Sequence, residues 1–274
     1  MPDITYTTRP EELAPWIRPE DKIPLLLAVS LYDKPIQMLG DFRLIERYGG
    51  RVSAWMNPEG VLIIATRGTT PFSYDGFKDL GDDIKISGSD FCNLSLVKTA
   101  DEVVQKHADK AKAIIFVGHS LGGTSAMCLT GKYSNFAIPV RGIGFNSGAA
   151  PTNPILTGPG PQRFRHYHIV GDLISSHMGP QAAEVIRIKK SKAAFGGTWA
   201  HSTPRLLASD GDWAFATADE EDQMFNQWAT TYRVGWEVLV PTGPLAKFIR
   251  VITSGKISEK NPIPGSTRFN SKAQ

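Results

Sequence analysis

The chain has 274 residues, 41% of them hydrophobic, which is enough for a substantial core within one large α/β domain. Its formal charge of +3 is concentrated at one end: from residue 241 onward Lys247, Arg250, Lys256, Lys260, Arg268 and Lys272 face only Glu259, so residues 1–240 carry −2. The body is not basic, and no nucleic-acid partner is expected.

In chain order, "IPLLLAVSL" at 23–31 is about half the length of a membrane-spanning helix and follows Glu20 and Asp21, so neither a signal peptide nor a transmembrane segment is expected. "RPEDKIPLLLAVSLYD" reads as a helix begun by Pro19 and two acids, and "GDFRLIERYGG" as a second helix closed by paired glycines. "RVSAWMN" and "VLIIATR" are strands joined by the turn "PEG". Residues 94–110 set Leu96, Val97, Val103 and Val104 on one helical face. Then come "KAIIFVG" as a strand, 120–132 as a helix, and "IPVRGIGFN", "RFRHYHIVGD" and "AEVIRIKK" as strands. This alternation predicts βαβ crossovers and a mostly parallel central sheet flanked by helices, its strands buried on both faces. The expected organisation is one domain over 1–245 and a basic, flexible C-terminal arm over 246–274. Cys92 and Cys128 could close at most one bridge, and Cys128 falls on a buried helix face. Both are expected to be reduced small hydrophobes in an intracellular protein.

"AIIFVGHSLGGTSAMCL", 113–129, sets a serine among glycines between a strand and a helix. A phosphate-cradling loop would need lysine where Thr124 stands. A dinucleotide fingerprint in "GIGFNSG", 142–148, has its third glycine one residue late. Gly118, Ser120 and Gly122 instead match Gly-x-Ser-x-Gly, a strained elbow that exposes a serine hydroxyl at the sheet's carboxyl edge, beside the positive end of a helix. The plainer alternative is a tight turn whose serine caps the helix.

A serine hydroxyl needs a histidine to take its proton and a carboxylate to orient that histidine, in the chain order serine, acid, histidine. Asp172, in "HIVGDLIS" directly after a strand, fits the acid. Of six histidines, His107 and His119 stand before the serine, while His166 and His168 alternate within a strand and are expected to be packed or paired there. His177 follows Asp172 by only five residues, so His201, in the glycine-flanked "GGTWAHSTPRLL", is the favoured base. An oxyanion hole would take one N–H from Leu121 and one from the loop "IATRGTT", where Thr69 follows a glycine.

Over roughly residues 20–205 the chain resembles the class 3 lipase family of α/β-hydrolases, through "VLIIATRGTT", "FKDLGDDI", "VGHSLGGTSA" and the later Asp and His. "GFNSGAAP" departs from the Phe-Gly-x-Pro usual in secreted fungal members and is closer to an Asn-containing form of divergent bacterial and viral relatives. The resemblance implies the α/β-hydrolase fold and a lipase or esterase mechanism. It also implies Thr69 as the oxyanion-hole residue and a lid after it, with Phe72, Tyr74 and Phe77. The expected function is a serine carboxyl-ester hydrolase acting on an ester or lipid, with Ser120, Asp172 and His201 as its triad and no cofactor or metal. The arm would supply a membrane-surface or protein contact. The rival is a noncatalytic protein that keeps the hydrolase fold and uses the arm for interaction.

Overall fold

The computed structural model describes residues 9–68, 91–147, 163–172, 175, 184–190, 213–221 and 223. The chain divides into two units, Met1–Ala216 and Thr217–Gln274. Among the described residues, the first unit holds a sheet in which nine strands lie side by side in chain order. They are β1 (Met38–Leu39), β2 (Phe42–Tyr48), β3 (Val52–Met56), β4 (Val61–Arg67), β5 (Ala113–His119), β6 (Val140–Phe145), β7 (Phe164–Ile169), β8 (Glu184–Lys190) and β9 (Trp213–Phe215). Strands β1 to β4 pair antiparallel, β4 to β8 parallel, and β9 returns antiparallel to β8. In the second unit Thr217 and Glu220 cap each other: the Thr217 N–H donates to Glu220 Oε2 (2.8 Å) and the Glu220 N–H to Thr217 Oγ1 (3.2 Å). The expected arm, 246–274, lies outside the described residues.

Helix α1 (Pro19–Ser30) packs on β4, β5 and β6 from one face. Helices α2 (Ser95–His107) and α3 (Leu121–Lys132) pack from the other. Ile63, Ala65, Ile115, Val117, Ile143 and Phe145 point toward the α1 side, and Leu62, Ile64, Ile114 and Phe116 toward α2 and α3. Both faces of β4 and β5 are thus covered, which is why these strands are written as unbroken apolar runs. On α2 the expected stripe is buried, with Ala100 added between Val97 and Val103.

Two expectations are corrected. "GDFRLIERYGG" forms strand β2, not a helix: Phe42, Leu44 and Glu46 are half-buried while Arg43, Ile45 and Arg47 face solvent. A register shift between Leu44 and Glu46 interrupts the pairing with β3, and the flanking glycines close turns at either end of the strand. The cysteines are not reduced. Cys92, in the 3-10 turn Phe91–Asn93, is bonded to Cys128 on α3, with Cα atoms 5.4 Å apart. That bridge removes the reasoning from free thiols to an intracellular setting. Among the described residues, no helix is long and apolar enough to cross a membrane.

At the amino ends of β6, β7 and β8 sits an ion network built around Asp21, which is fully buried. Its carboxylate accepts from Arg141 Nη1 (2.6 Å), Arg165 Nη1 (2.5 Å) and the Tyr167 hydroxyl (2.7 Å). Arg165 also holds Glu184 (2.7 Å) and Glu20 (3.0 Å). Pro24, inside α1, has no N–H for the Glu20 carbonyl, and Arg141 Nη2 donates to that oxygen instead (3.0 Å).

Candidate active site

Strand β5 ends in Gly118 and His119, and α3 begins at Leu121, so Ser120 alone turns the chain. It does so with φ 58° and ψ −130°, a left-handed conformation that costs a side-chain-bearing residue about 1–3 kcal/mol. The turn closes through the Ser120 carbonyl, which accepts from the N–H groups of Gly123 (2.9 Å) and Thr124 (3.2 Å), and through the Ser120 N–H, which donates to Phe145 O (3.1 Å).

The glycines around it are required by contact. A Cβ on Gly118 would overlap the Gly122 carbonyl group, and one on Gly122 would overlap the Thr66 carbonyl group. A Cβ on Gly68, at the end of β4, would stand 2.8 Å from the Ser120 Cβ and 3.1 Å from the Leu121 nitrogen. Gly68 therefore lies directly against the start of α3, where helix N–H groups have no intrahelical acceptor.

Neighbouring groups fix this edge. Tyr32, just after α1, bonds its hydroxyl to His119 Nδ1 (2.6 Å), and the Arg67 guanidinium lies 5.5 Å from the Tyr32 ring centre while donating to Leu31 O (3.0 Å). Burial pushes the Tyr32 hydroxyl pKa up, and burial, with Arg51 nearby, pulls that of Arg67 down. At the end of β6, Asn146 has φ 44°; its N–H donates to Tyr167 O (2.9 Å) and its Oδ1 accepts from Ile169 N–H (2.8 Å).

Asp172 is buried three residues beyond β7. Gly171, at φ 101°, makes the turn, and the Asp172 N–H donates to Ile169 O (3.0 Å). The Ser175 hydroxyl donates to Asp172 Oδ2 (2.8 Å) and meets His168 Nδ1 at 2.6 Å. His166 and His168 are packed and paired as expected, their rings 6.0 Å apart. His166 Nε2 accepts from the Ser147 N–H (2.9 Å), and burial, then His168, holds its pKa well below the ordinary histidine value.

Ser120, Leu121 and Asp172 thus stand at the same carboxyl edge of the sheet, with β6 between serine and acid. Thr69, His177, His201 and the aromatic segment 70–77 lie outside the described residues. Sequence reasoning missed Ser175. The one signal for it was a serine three residues after the acid, in "DLISS". A cavity of about 440 Å³ opens between Pro15–Pro19 and strands β8 and β9, and none of the candidate residues lines it.

No family model matches the chain, and no curated protein matches it in sequence. Among solved structures it is similar to the Lip2 lipase of Yarrowia lipolytica, with TM-score 0.43 and 13% identity over 72% of this chain and 85% of that one. It is likewise similar to a triacylglycerol lipase of Penicillium expansum, with TM-score 0.41 and 14% identity over 75% and 85%. A lipase of Rhizopus microsporus var. chinensis gives TM-score 0.35 and 13% identity over 67% and 70%.

Proposed function

We propose that the chain is a serine carboxyl-ester hydrolase of lipase type. Ser120 attacks the ester carbonyl through Oγ, and His201 takes the proton and returns it to the leaving alcohol. Asp172 orients that imidazole, and the N–H groups of Thr69 and Leu121 hold the tetrahedral oxyanion. Water then repeats the cycle on the acyl-enzyme and releases the acid. An ester or lipid is the substrate class, and the basic arm, 246–274, is the segment assigned to a membrane surface or a protein.

The observation that carries this reading is the backbone of Ser120. A serine that only capped α3 would have extended φ and ψ and would bond its side chain to a helix N–H. Here φ is 58°, no side-chain cap bond is made, and Gly68, Gly118 and Gly122 give up their side chains to the turn. Strain of this kind persists where function requires it. The passage of Gly68 beside the Leu121 nitrogen supports pairing the next residue's N–H with that of Leu121.

A fluorophosphonate probe followed by peptide mass mapping tests the reading. The label is expected on Ser120, and Ser120→Ala is expected to lose both the label and p-nitrophenyl ester turnover, by at least about a thousandfold, with its Tm nearly unchanged. Wild-type turnover in Ser120→Ala, or a label on another residue, would overturn it.

A further inference from the structure

We infer that Ser175 and His168 are positioning residues for the acid of the site, acting through a buried hydrogen-bond relay that runs His168 Nδ1–H to Ser175 Oγ and Ser175 Oγ–H to Asp172 Oδ2. The inference rests on the hydrolase reading, in which Asp172 orients the base. The direction of the relay follows from the inventory of donors. An ionised carboxylate only accepts, so the single Ser175 proton goes to Asp172 Oδ2 across 2.8 Å. The hydroxyl oxygen must then accept from His168 Nδ1 across 2.6 Å, which fixes His168 with its proton on Nδ1.

All three side chains are at least 98% buried, so water does not compete for these bonds. Asp172 follows a left-handed glycine at the end of β7. The relay ties that carboxylate back to β7, the sheet's own frame. His166, whose ring stacks beside His168, is kept neutral by burial, and its Nε2 takes the Ser147 N–H. Arg187 is the cross-strand partner of His168 on β8. With Oδ2 engaged by Ser175, the carboxylate presents a fixed plane to the imidazole that it serves.

Two readouts test this. In the first, kcat and KM for a p-nitrophenyl ester are measured across pH for wild type, Ser175→Ala, Ser175→Thr and His168→Phe. Ser175→Ala should lose about tenfold in kcat with KM nearly unchanged. The acid limb of its kcat/KM profile should move to higher pH, because a carboxylate relieved of its O–H donor holds imidazolium more strongly. Ser175→Thr, which keeps the hydroxyl, should recover wild-type kcat, and His168→Phe should lose about threefold.

In the second, ¹⁵N NMR should find His168 protonated on Nδ1 in wild type and should show that preference lost in Ser175→Ala. Wild-type turnover matched by Ser175→Ala with the same pH profile would overturn the positioning role, as would a loss that threonine does not restore. A wild-type chain inert to both ester and fluorophosphonate would overturn the hydrolase reading and the role with it. The NMR arm identifies that case, since the relay's hydrogen bonds would still be seen.

Discussion

At the amino ends of β6, β7 and β8 the charged groups satisfy one another, whereas at the carboxyl ends of β4, β5 and β6 the backbone is strained and polar atoms lie unpartnered. Asp21 takes three donors, and Arg165 bridges three carboxylates. At the other end stand Ser120 and Asn146, the two non-glycine residues with positive φ among those described. Among the described residues, buried Arg67 Nε and Ser147 Oγ have no hydrogen-bond partner. One end of the sheet is arranged for stability, and the other tolerates costs that stability alone would not select.

Substitutions can break or sharpen that contrast. The largest expected effect is from Gly122→Ala, because its Cβ would overlap the Thr66 carbonyl group, which is strand backbone and cannot swing aside. A loss above about 4 kcal/mol, seen as little soluble folded protein, is expected. A variant that melts like wild type would show that the elbow is not closed by that contact.

Asp21→Ala comes next. It strips the carboxylate from Arg141, Arg165 and Tyr167, and about 3 kcal/mol of stability should go with it, read by denaturant unfolding. The kcat of the folded fraction should not change. If turnover fell and stability did not, the two ends could no longer be assigned separate roles.

The smallest effect belongs to Glu46→Gln, which tests whether burial, and not ion pairing as such, gives the amino end its weight. Glu46 on β2 meets Lys106 (2.7 Å) and His107 (2.9 Å) at the end of α2, and their hydrogen bonds lower its pKa. A carboxylate lowered on folding stabilises above its unfolded pKa, and that gain vanishes as pH falls through the folded value. The variant should therefore melt about 1–2 °C below wild type at pH 7, with the gap closing on acidification below about pH 4.

What could be read without coordinates was what is local. The runs that became β4 to β8, the one-sided stripe of α2 and the serine among glycines each carry their signal within a few consecutive residues. Asp21 resembled an acid favouring a helix start, because its partners Arg141 and Arg165 come more than a hundred residues later. The two cysteines could be paired only once the turn at 91–93 was known to lie against α3. Strands β1 and β9, of two and three residues, are too short to show any period. The relay from His168 to Asp172 runs through Ser175, seven positions after His168, and no spacing rule marks it.

The position of α1 in the chain also bears on biosynthesis. It leaves the ribosome before every strand that it covers, and β5, on which it packs, is not complete until residue 119. At translation rates of about 5–20 residues per second, its apolar surface waits roughly 5–20 seconds for that strand. Leu25, Leu26 and Leu27 are all at least 98% buried in the finished fold, so during that interval the nascent chain displays a hydrophobic segment to whatever holdase stands at the exit tunnel.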